Sequence, residues 1–410
     1  MTPDSRPATV ADLSGSQSDA ATPASLPRRV IVLLISILSL ISLLMFGTGA
    51  YALTPGAAQW PDAAASTVRV VLLACAVIMV VTAVLAHRHG GTDGQARVAH
   101  VLLGVGWILF SQAVIVLLLR LVIGLAGLDD PLRSRAMAVV LAVEVLVLCL
   151  WGFRQARRVP AVRRTSIPVA GLGAPVTVAV LADTHFDPWT TPQWSRQVVE
   201  RVNALGADVV VHAGDLADGQ VAQRADQSSH LGEVRARHRF YILGNHEYYS
   251  GAAPWHDHMH SLGWTVLVNR HEVITDGGGG SLVVAGVDDP DAARAPVSSS
   301  HPRRPGPDVD AALAGAPSGV PVLLLAHQPH LVADARDRVD VQLSGHTHGG
   351  QIWPFHYLVR LREPVVAGLS RHGERTRLYV SRGAGFWGPP FRLGAPSEIS
   401  LLTLVPAAGG

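Results

Sequence analysis

The sequence predicts a chain in two unlike parts: four membrane-spanning helices, then an α/β domain of short strands alternating with amphipathic segments. Three observations carry this. Charged residues make up 16% of the 410 positions, well under the roughly 25% of a typical soluble domain. They are unevenly spread, with 11 among the 124 residues 30–153 (about 9%) and 44 among the 250 residues 161–410 (about 18%). Finally, 16 of the 19 histidines fall after residue 160, many where a predicted strand gives way to a loop.

Residues 1–27 are rich in Ala, Ser, Thr and Pro without apolar periodicity and read as a disordered tail. Residues 28–153 hold four apolar stretches, 30–53, 67–86, 98–124 and 136–153, each near or above the roughly 20 residues that cross a hydrocarbon core. The first is too long and starts too late for a cleavable signal peptide. Arg28 and Arg29 precede the first span, and residues 54–66 hold no arginine. Arg88 and Arg97 lie in the second loop, while Arg133 and Arg135 share the third with Asp129 and Asp130. Arg154, Arg157, Arg158, Arg163 and Arg164 follow the last span. The positive-inside rule then places the N-terminus, the second loop and everything after residue 154 in the cytoplasm. The expected location is therefore the cell membrane, multi-pass, with the second domain cytoplasmic.

Arg120 and Glu144 lie within spans, where charge is costly. An ion pair between them, or snorkelling of Arg120 to the interface, accounts for both. Neither supports a transporter, since four spans without repeated broken helices lack that architecture. Residues 154–174 read as a basic, Pro- and Gly-containing linker whose arginines can rest on anionic headgroups. The second domain then runs over residues 175–406. Its predicted strands are 176–182, 208–213, 239–243, 282–287, 320–326, 339–343 and 377–381, with a helix over 193–205.

Composition removes several chemistries. Two cysteines, Cys75 and Cys149, exclude a disulfide framework and a Cys-based zinc site. All 33 basic residues are arginine, so no Schiff-base or Walker-type lysine is available. A net charge of +2 gives no general attraction to nucleic acid, and none is expected as a partner.

Five polar clusters punctuate the second domain: Asp183-Thr184-His185, Gly214-Asp215, Gly244-Asn245-His246-Glu247, Ala326-His327 and Gly345-His346-Thr347-His348. Open α/β sheets place ligands at strand ends, and residues i and i+2 of an extended chain project the same way. One histidine can be a satisfied core group, but an ordered set of two Asp, one Asn and four His is poorly explained that way. Seven N and O donors exceed one tetrahedral zinc and suit two divalent ions about 3.5–4 Å apart, with one carboxylate bridging.

The sequence resembles the calcineurin-like metallophosphoesterase superfamily in the motifs DTH (183–185), GDLADG (214–219), GNHE (244–247), AHQPH (326–330) and GHTHGGQ (345–351), in order and spacing. The GHTHGGQIWP segment and the closing SRGAGFWGPPFRLGAPSEISLLTL look like the bacterial membrane-associated phosphodiesterase branch, and the N-terminal helices like transmembrane metallophosphoesterases. The resemblance implies a central β-sandwich flanked by helices. It also implies one cation on Asp183, His185, Asp215 and His348, and a second on Asp215, Asn245, His327 and His346. His246 matches a histidine that faces the phosphoryl group. The implied activity is hydrolysis of a phosphodiester or pyrophosphate by a hydroxide bridging two metals, on a lipid- or nucleotide-linked substrate. Ligand hardness favours Mn, Fe or Zn, with Mg and Co also compatible.

A non-catalytic membrane sensor or scaffold retaining the metal fold is the competing reading; degenerate ligands would have favoured it, and none are present. Asp218 and Glu247 are candidates for orienting ligands or, equally, for helix capping or an exposed position, and Asp187 is unusual in its motif, as a solvated loop residue or a neighbour of the ligands. Trp189, Trp194, Trp353, Phe386 and Trp387 are candidates for a substrate cleft or for core and membrane contact. Arg382 is a candidate phosphate binder or surface residue. His256, His258 and His260 read as a solvated or helical surface run, with a third metal site as the alternative, and residues 277–280 as a hairpin or loop tip.

Overall fold

The computed structural model describes residues 28–407 except 89, 129, 276–277 and 295–305. The tail at 1–27 lies outside them. Four long helices come first: α1 (Arg28–Leu53), α2 (Asp62–Ala86), α3 (Asp93–Leu125) and α4 (Pro131–Arg157). All four are long and apolar enough to cross a membrane. The starts of α3 and α4 carry side-chain caps. Thr92 and Gln95 form a reciprocal capping box at α3, and Asp130 accepts from the Arg133 N–H ahead of Pro131 at α4. Close packing inside the bundle relies on small residues: a Cβ at Gly49 would overlap Leu109, and Gly106 faces the ring of Phe46. Arg120 donates to the carbonyls of Ala52 (2.6 Å) and Ser134 (3.1 Å), at the end of α1 and the start of α4. Glu144 stands exposed on the outer side of α4.

The second part contains β1 (Ala161–Val169), β2 (Val176–Leu181), α5 (Pro192–Asn203), β3 (Val209–Ala213), α6 (Val221–Ser228), β4 (His238–Ile242), α7 (Asn245–Ser250), α8 (Ala252–Ser261) and β5 (Thr265–Val266). It continues with β6 (Arg270–Thr275), β7 (Ser281–Gly286), α9 (Val309–Leu313), β8 (Val322–Leu325), α10 (Val332–Ala335), β9 (Val341–Ser344), α11 (His356–Val359), β10 (Gly368–His372), β11 (Thr376–Val380) and β12 (Glu398–Pro406). Two six-stranded mixed sheets, in the orders β1-β12-β2-β3-β4-β5 and β10-β11-β9-β8-β7-β6, pack face to face. Val178, Val180, Val211 and Ile242 of one sheet share a buried cluster with Val284, Leu323, Leu325 and Leu343 of the other. The β-sandwich implied by the sequence is present.

All seven predicted strands and the predicted helix form, within a residue or two at their ends. Five further strands were not foreseen. The stretch read as a linker, 154–174, holds the last turn of α4 and all of β1, which pairs in parallel with β12 over its full length. Its charges disguise it: Arg163 and Arg164 are exposed on an edge strand, where charge discourages edge-to-edge pairing.

The bundle is docked on the second domain through α3 and α4. Arg97 donates to the Pro188 carbonyl (2.8 Å from Nε), and Arg224 grips Asp93 with two bonds of 2.8 and 2.9 Å. The Trp107 indole donates to the Ile352 carbonyl, and Phe391 and Leu393 fill notches at Gly104 and Gly152. Because a Cβ at Gly104 would overlap the Phe391 ring, Gly104→Leu is expected to weaken this docking by about 1–3 kcal/mol. Faster limited proteolysis of the 154–174 connection would show it; unchanged proteolysis would refute it.

Candidate metal centre

The strands of both sheets deliver their polar ends to one place. Asp183 and His185 follow β2, Asp215 follows β3, Asn245 opens α7 after β4, His327 follows β8, and His346 and His348 follow β9. Leaving a strand and turning a donor inward at once demands unusual backbone. Asp183, His185, Asp215, His346 and His348 all have positive φ, between 41° and 71°, a region that non-glycine residues seldom occupy. Two glycines make room: a Cβ at Gly244 would strike Asp215, and one at Gly345 would lie 2.5 Å from Asp183 Oδ2.

The seven predicted donors and His246 converge. His185 Nε2 lies 3.0 Å from His348 Nε2 and 3.7 Å from Asp215 Oδ2. His348 Nε2 is 3.8 Å from Asp183 Oδ1, and His327 Nε2 is 3.0 Å from Asp215 Oδ2. His346 Nδ1 is 3.1 Å from Asn245 Oδ1. Asp183, His185 and His348 form one group of donor atoms within 4.8 Å of one another, and Asp215, His327 and His346 a second. Asp183 Oδ2 is buried without a hydrogen-bond partner, which is costly unless a cation completes it. The residues present therefore fit metal ions.

The electrostatics agree. Burial together with the neighbouring His327 pushes His346 down to about 3, and burial with the nearby His185 holds His348 well below the usual imidazole range. Both are neutral, as ligation requires. Burial also opposes a charge on His327, yet the Asp215 carboxylate beside it raises its pKa well above normal. Burial, with the nearby Asp215 carboxylate, lifts Asp183 to about 6 despite His327. Asp215 and Asp183 thus call for positive charge in a dry setting. In the bare chain a proton supplies it, and metal binding displaces such protons.

A second layer holds the donors. One oxygen of Asp218 accepts from two imidazoles, His185 Nδ1 at 2.9 Å and His246 Nδ1 at 2.6 Å. His327 Nδ1 donates to the Ala213 carbonyl at 2.7 Å. The buried Glu247 carboxylate accepts the backbone N–H groups of Asp215, Leu216, Ala217 and Gly244, locking the Asp215 turn to the start of α7. Arg392 was not foreseen. It is 1% exposed, lies 3.1 Å from His348 Nδ1 and donates to the carbonyls of His348, Gly385 and Ala395, while its own N–H bonds Gly152 of α4. A lone arginine in a closing stretch gives no sign of this, although a fully buried guanidinium always needs partners.

His246 sits at the rim. Burial opposes its charged form, but the Asp215 and Asp218 carboxylates hold its pKa up to about 10. A cation at Asp215 would take up that carboxylate's charge and leave Asp218 as the partner favouring the imidazolium. The half-exposed Trp387 and the exposed Tyr249 flank the ring at 6.1 and 5.3 Å.

Other candidates lie elsewhere. Trp189 packs against Phe153 and Arg157 of α4, away from the donors. Arg382 pairs with Glu398 at 2.9 Å. Asp187 is fully buried rather than solvated, and accepts from the Trp189 and Thr190 N–H groups and the Thr190 hydroxyl. His256 and His258, on α8, bond Asp257 and Ser228. Residues 278–280 lie between the paired strands β6 and β7, as a hairpin tip should; 277 lies outside the described residues.

Comparison with known proteins gives a consistent result. Residues 176–350 match the calcineurin-like phosphoesterase family. An uncharacterized metallophosphoesterase of Campylobacter jejuni is 33% identical over 70% of this chain and 75% of its own length. One from Helicobacter pylori is 36% identical over 62% of this chain, and a zebrafish transmembrane protein with metallophosphoesterase domain is 34% identical over 66%. The chain spans 66% and 63% of these two relatives' lengths. Among solved structures, a 5'-nucleotidase precursor from Thermus thermophilus aligns with 56% of this chain and 54% of its own, at 18% identity and TM-score 0.38. With four membrane-capable helices ahead of a two-sheet domain whose strand ends gather these donors, the chain belongs to the calcineurin-like metallophosphoesterases.

Proposed function

We propose that this protein is a multi-pass membrane phosphoesterase of the cell membrane whose catalytic domain faces the cytoplasm and carries a dinuclear metal centre. One observation carries the reading: seven donors from five strand ends converge, six of them in two adjacent groups and Asn245 against His346, with the largely buried His246 grouped beside them with His185 and Asp218. Asp183, His185, Asp215 and His348 would hold one cation, and Asp215, Asn245, His327 and His346 the other, with Asp215 shared. When bound, two such cations polarise a phosphoryl oxygen and lower the pKa of water into the neutral range.

The chain's own residues do the rest. Asp218 orients His185 from its outer nitrogen, so that Nε2 faces the donors. The same carboxylate oxygen keeps His246 protonated at Nδ1, and the imidazolium stabilises charge on the phosphoryl group and donates a proton to the departing oxygen. The buried Glu247 holds the Asp215 backbone in its positive-φ conformation. A phosphodiester or pyrophosphate carried on a lipid or a nucleotide is the proposed substrate class; support comes from the contacts of Arg97, Trp107 and Gly104 that dock the domain on the apolar helix α3.

The test is hydrolysis of a bis-aryl phosphate by the purified full chain with Mn2+, lost on chelation and regained on adding metal. Asp218→Asn is expected to lower kcat about 10–100-fold while most metal remains. Unchanged kcat with full metal content would remove Asp218 from this role.

A further inference from the structure

The last turns of α4 border an open cavity of about 580 Å3, lined by Trp151, Phe153, Arg154, Gln155, Arg157 and Arg158. It takes no part in the metal centre. Along the helix toward it, Val143, Val147, Leu150, Arg154 and Arg157 follow at three- and four-residue steps, so they share one face. Val143, Val147, Leu150 and Trp151 on this side are all more than half exposed. At 1.5 Å per residue, Leu150 and Arg157 are separated by about 10 Å along the axis. One exposed strip therefore changes from aliphatic to tryptophan to arginine within two turns. That is the order of acyl chain, interface and headgroup in a bilayer leaflet.

The charge also needs a partner. None of the ion pairs among the described residues involves Arg154, Arg157 or Arg158. A helix C-terminus supplies roughly half a negative charge, which leaves more than two positive charges uncompensated around the cavity. Arg157 is held in place by the rings beneath it, at 5.1 Å from Phe153 and 5.7 Å from Trp189. A guanidinium cluster fixed in this way suits the planar, two-point recognition of phosphate oxygens. Free phosphate would satisfy the arginines but would leave the aliphatic strip leading to them without a role.

We propose that this cavity binds the headgroup of an anionic phospholipid, with an acyl chain laid along the Val143–Leu150 side of α4. The full chain would be reconstituted in nanodiscs of phosphatidylcholine containing a minor fraction of phosphatidylglycerol. After detergent extraction, the lipid retained by each chain would be counted by native mass spectrometry. The wild-type chain is expected to retain phosphatidylglycerol in excess of its share. The enrichment should fall about fivefold per arginine removed in R154Q, R157Q and R158Q combined. R28Q/R29Q, at the start of α1, should keep it. Thermal melting of each variant checks its fold, and R154Q alone carries the test if the triple variant does not fold. Equal retention of both lipids by the wild-type chain would overturn the proposal. So would equal loss in R28Q/R29Q, or a site that takes inorganic phosphate with no lipid enrichment.

Discussion

Asp215→Ala is expected to abolish phosphoester hydrolysis, by more than about 10³-fold, on the order of 4 kcal/mol of transition-state stabilisation. Its carboxylate reaches both donor groups: Oδ2 lies 3.0 Å from His327 and 3.7 Å from His185, and Oδ1 accepts the His246 backbone N–H at 3.0 Å. Losing it removes the shared carboxylate and the negative charge that offsets two cations. The bare chain loses stability as well. Burial opposes a charge on Asp215, 2% exposed, yet His327 beside it holds its carboxylate well below the usual range, and Oδ1 accepts the His246 backbone N–H, so its removal leaves a buried imidazole and a buried N–H without that partner. The metal-free variant should melt lower than the metal-free wild-type chain, and added Mn2+ should no longer raise the melting temperature. Hydrolysis near the wild-type rate, or a preserved metal-induced rise in melting temperature, would contradict the bridging role.

His246→Gln should separate chemistry from metal binding. The ring is held by Asp218 at 2.6 Å and lies beside His185, with ring centres 4.6 Å apart, but it belongs to neither of the two proposed ligand sets. Glutamine keeps a hydrogen-bonding group near Asp218 without an ionisable proton. The expected result is a fall in kcat of about 10²–10⁴-fold with metal content unchanged, the usual worth of a positioned general acid. The loss should be smallest on substrates whose leaving group departs without protonation, such as an aryl oxide. An equal loss on aryl and alkyl esters would place His246 in phosphoryl stabilisation alone, and loss of metal would make it a ligand.

Most of the site was legible because its parts are local. Each donor sits within a few residues of a strand end, and a β-branched run followed by Gly-Asp or Gly-His can be read from the chain directly. Asp218 and Glu247 were also visible as candidates, since they share the loops of Asp215 and Asn245. What escaped depends on distant pairings. Arg392 reaches His348 from 44 positions away, and nothing in its neighbours marks it. β1 reads as a linker because Arg163, Arg164 and Pro168 hide its alternation, and its partner β12 lies far along the chain, with Ala161 opposite Glu398. The docking of the bundle through Gly104, Gly152 and Phe391 was equally silent, because a glycine notch has meaning only beside the ring that fills it. Of the two readings open for Trp189, a substrate cleft or a packing contact, only its distant neighbours Phe153 and Arg157 decide for packing.

The central claim is that the seven converging donors hold two catalytic metal ions. The most direct measurement is metal content and phosphodiester hydrolysis on the same preparation of the full chain, titrated with Mn2+ after chelation. The account predicts that hydrolysis is absent from the chelated protein and rises with bound metal to a plateau at two ions per chain. Saturation at one ion, or neither hydrolysis nor bound metal with Mn, Fe, Zn, Co or Mg, would contradict it.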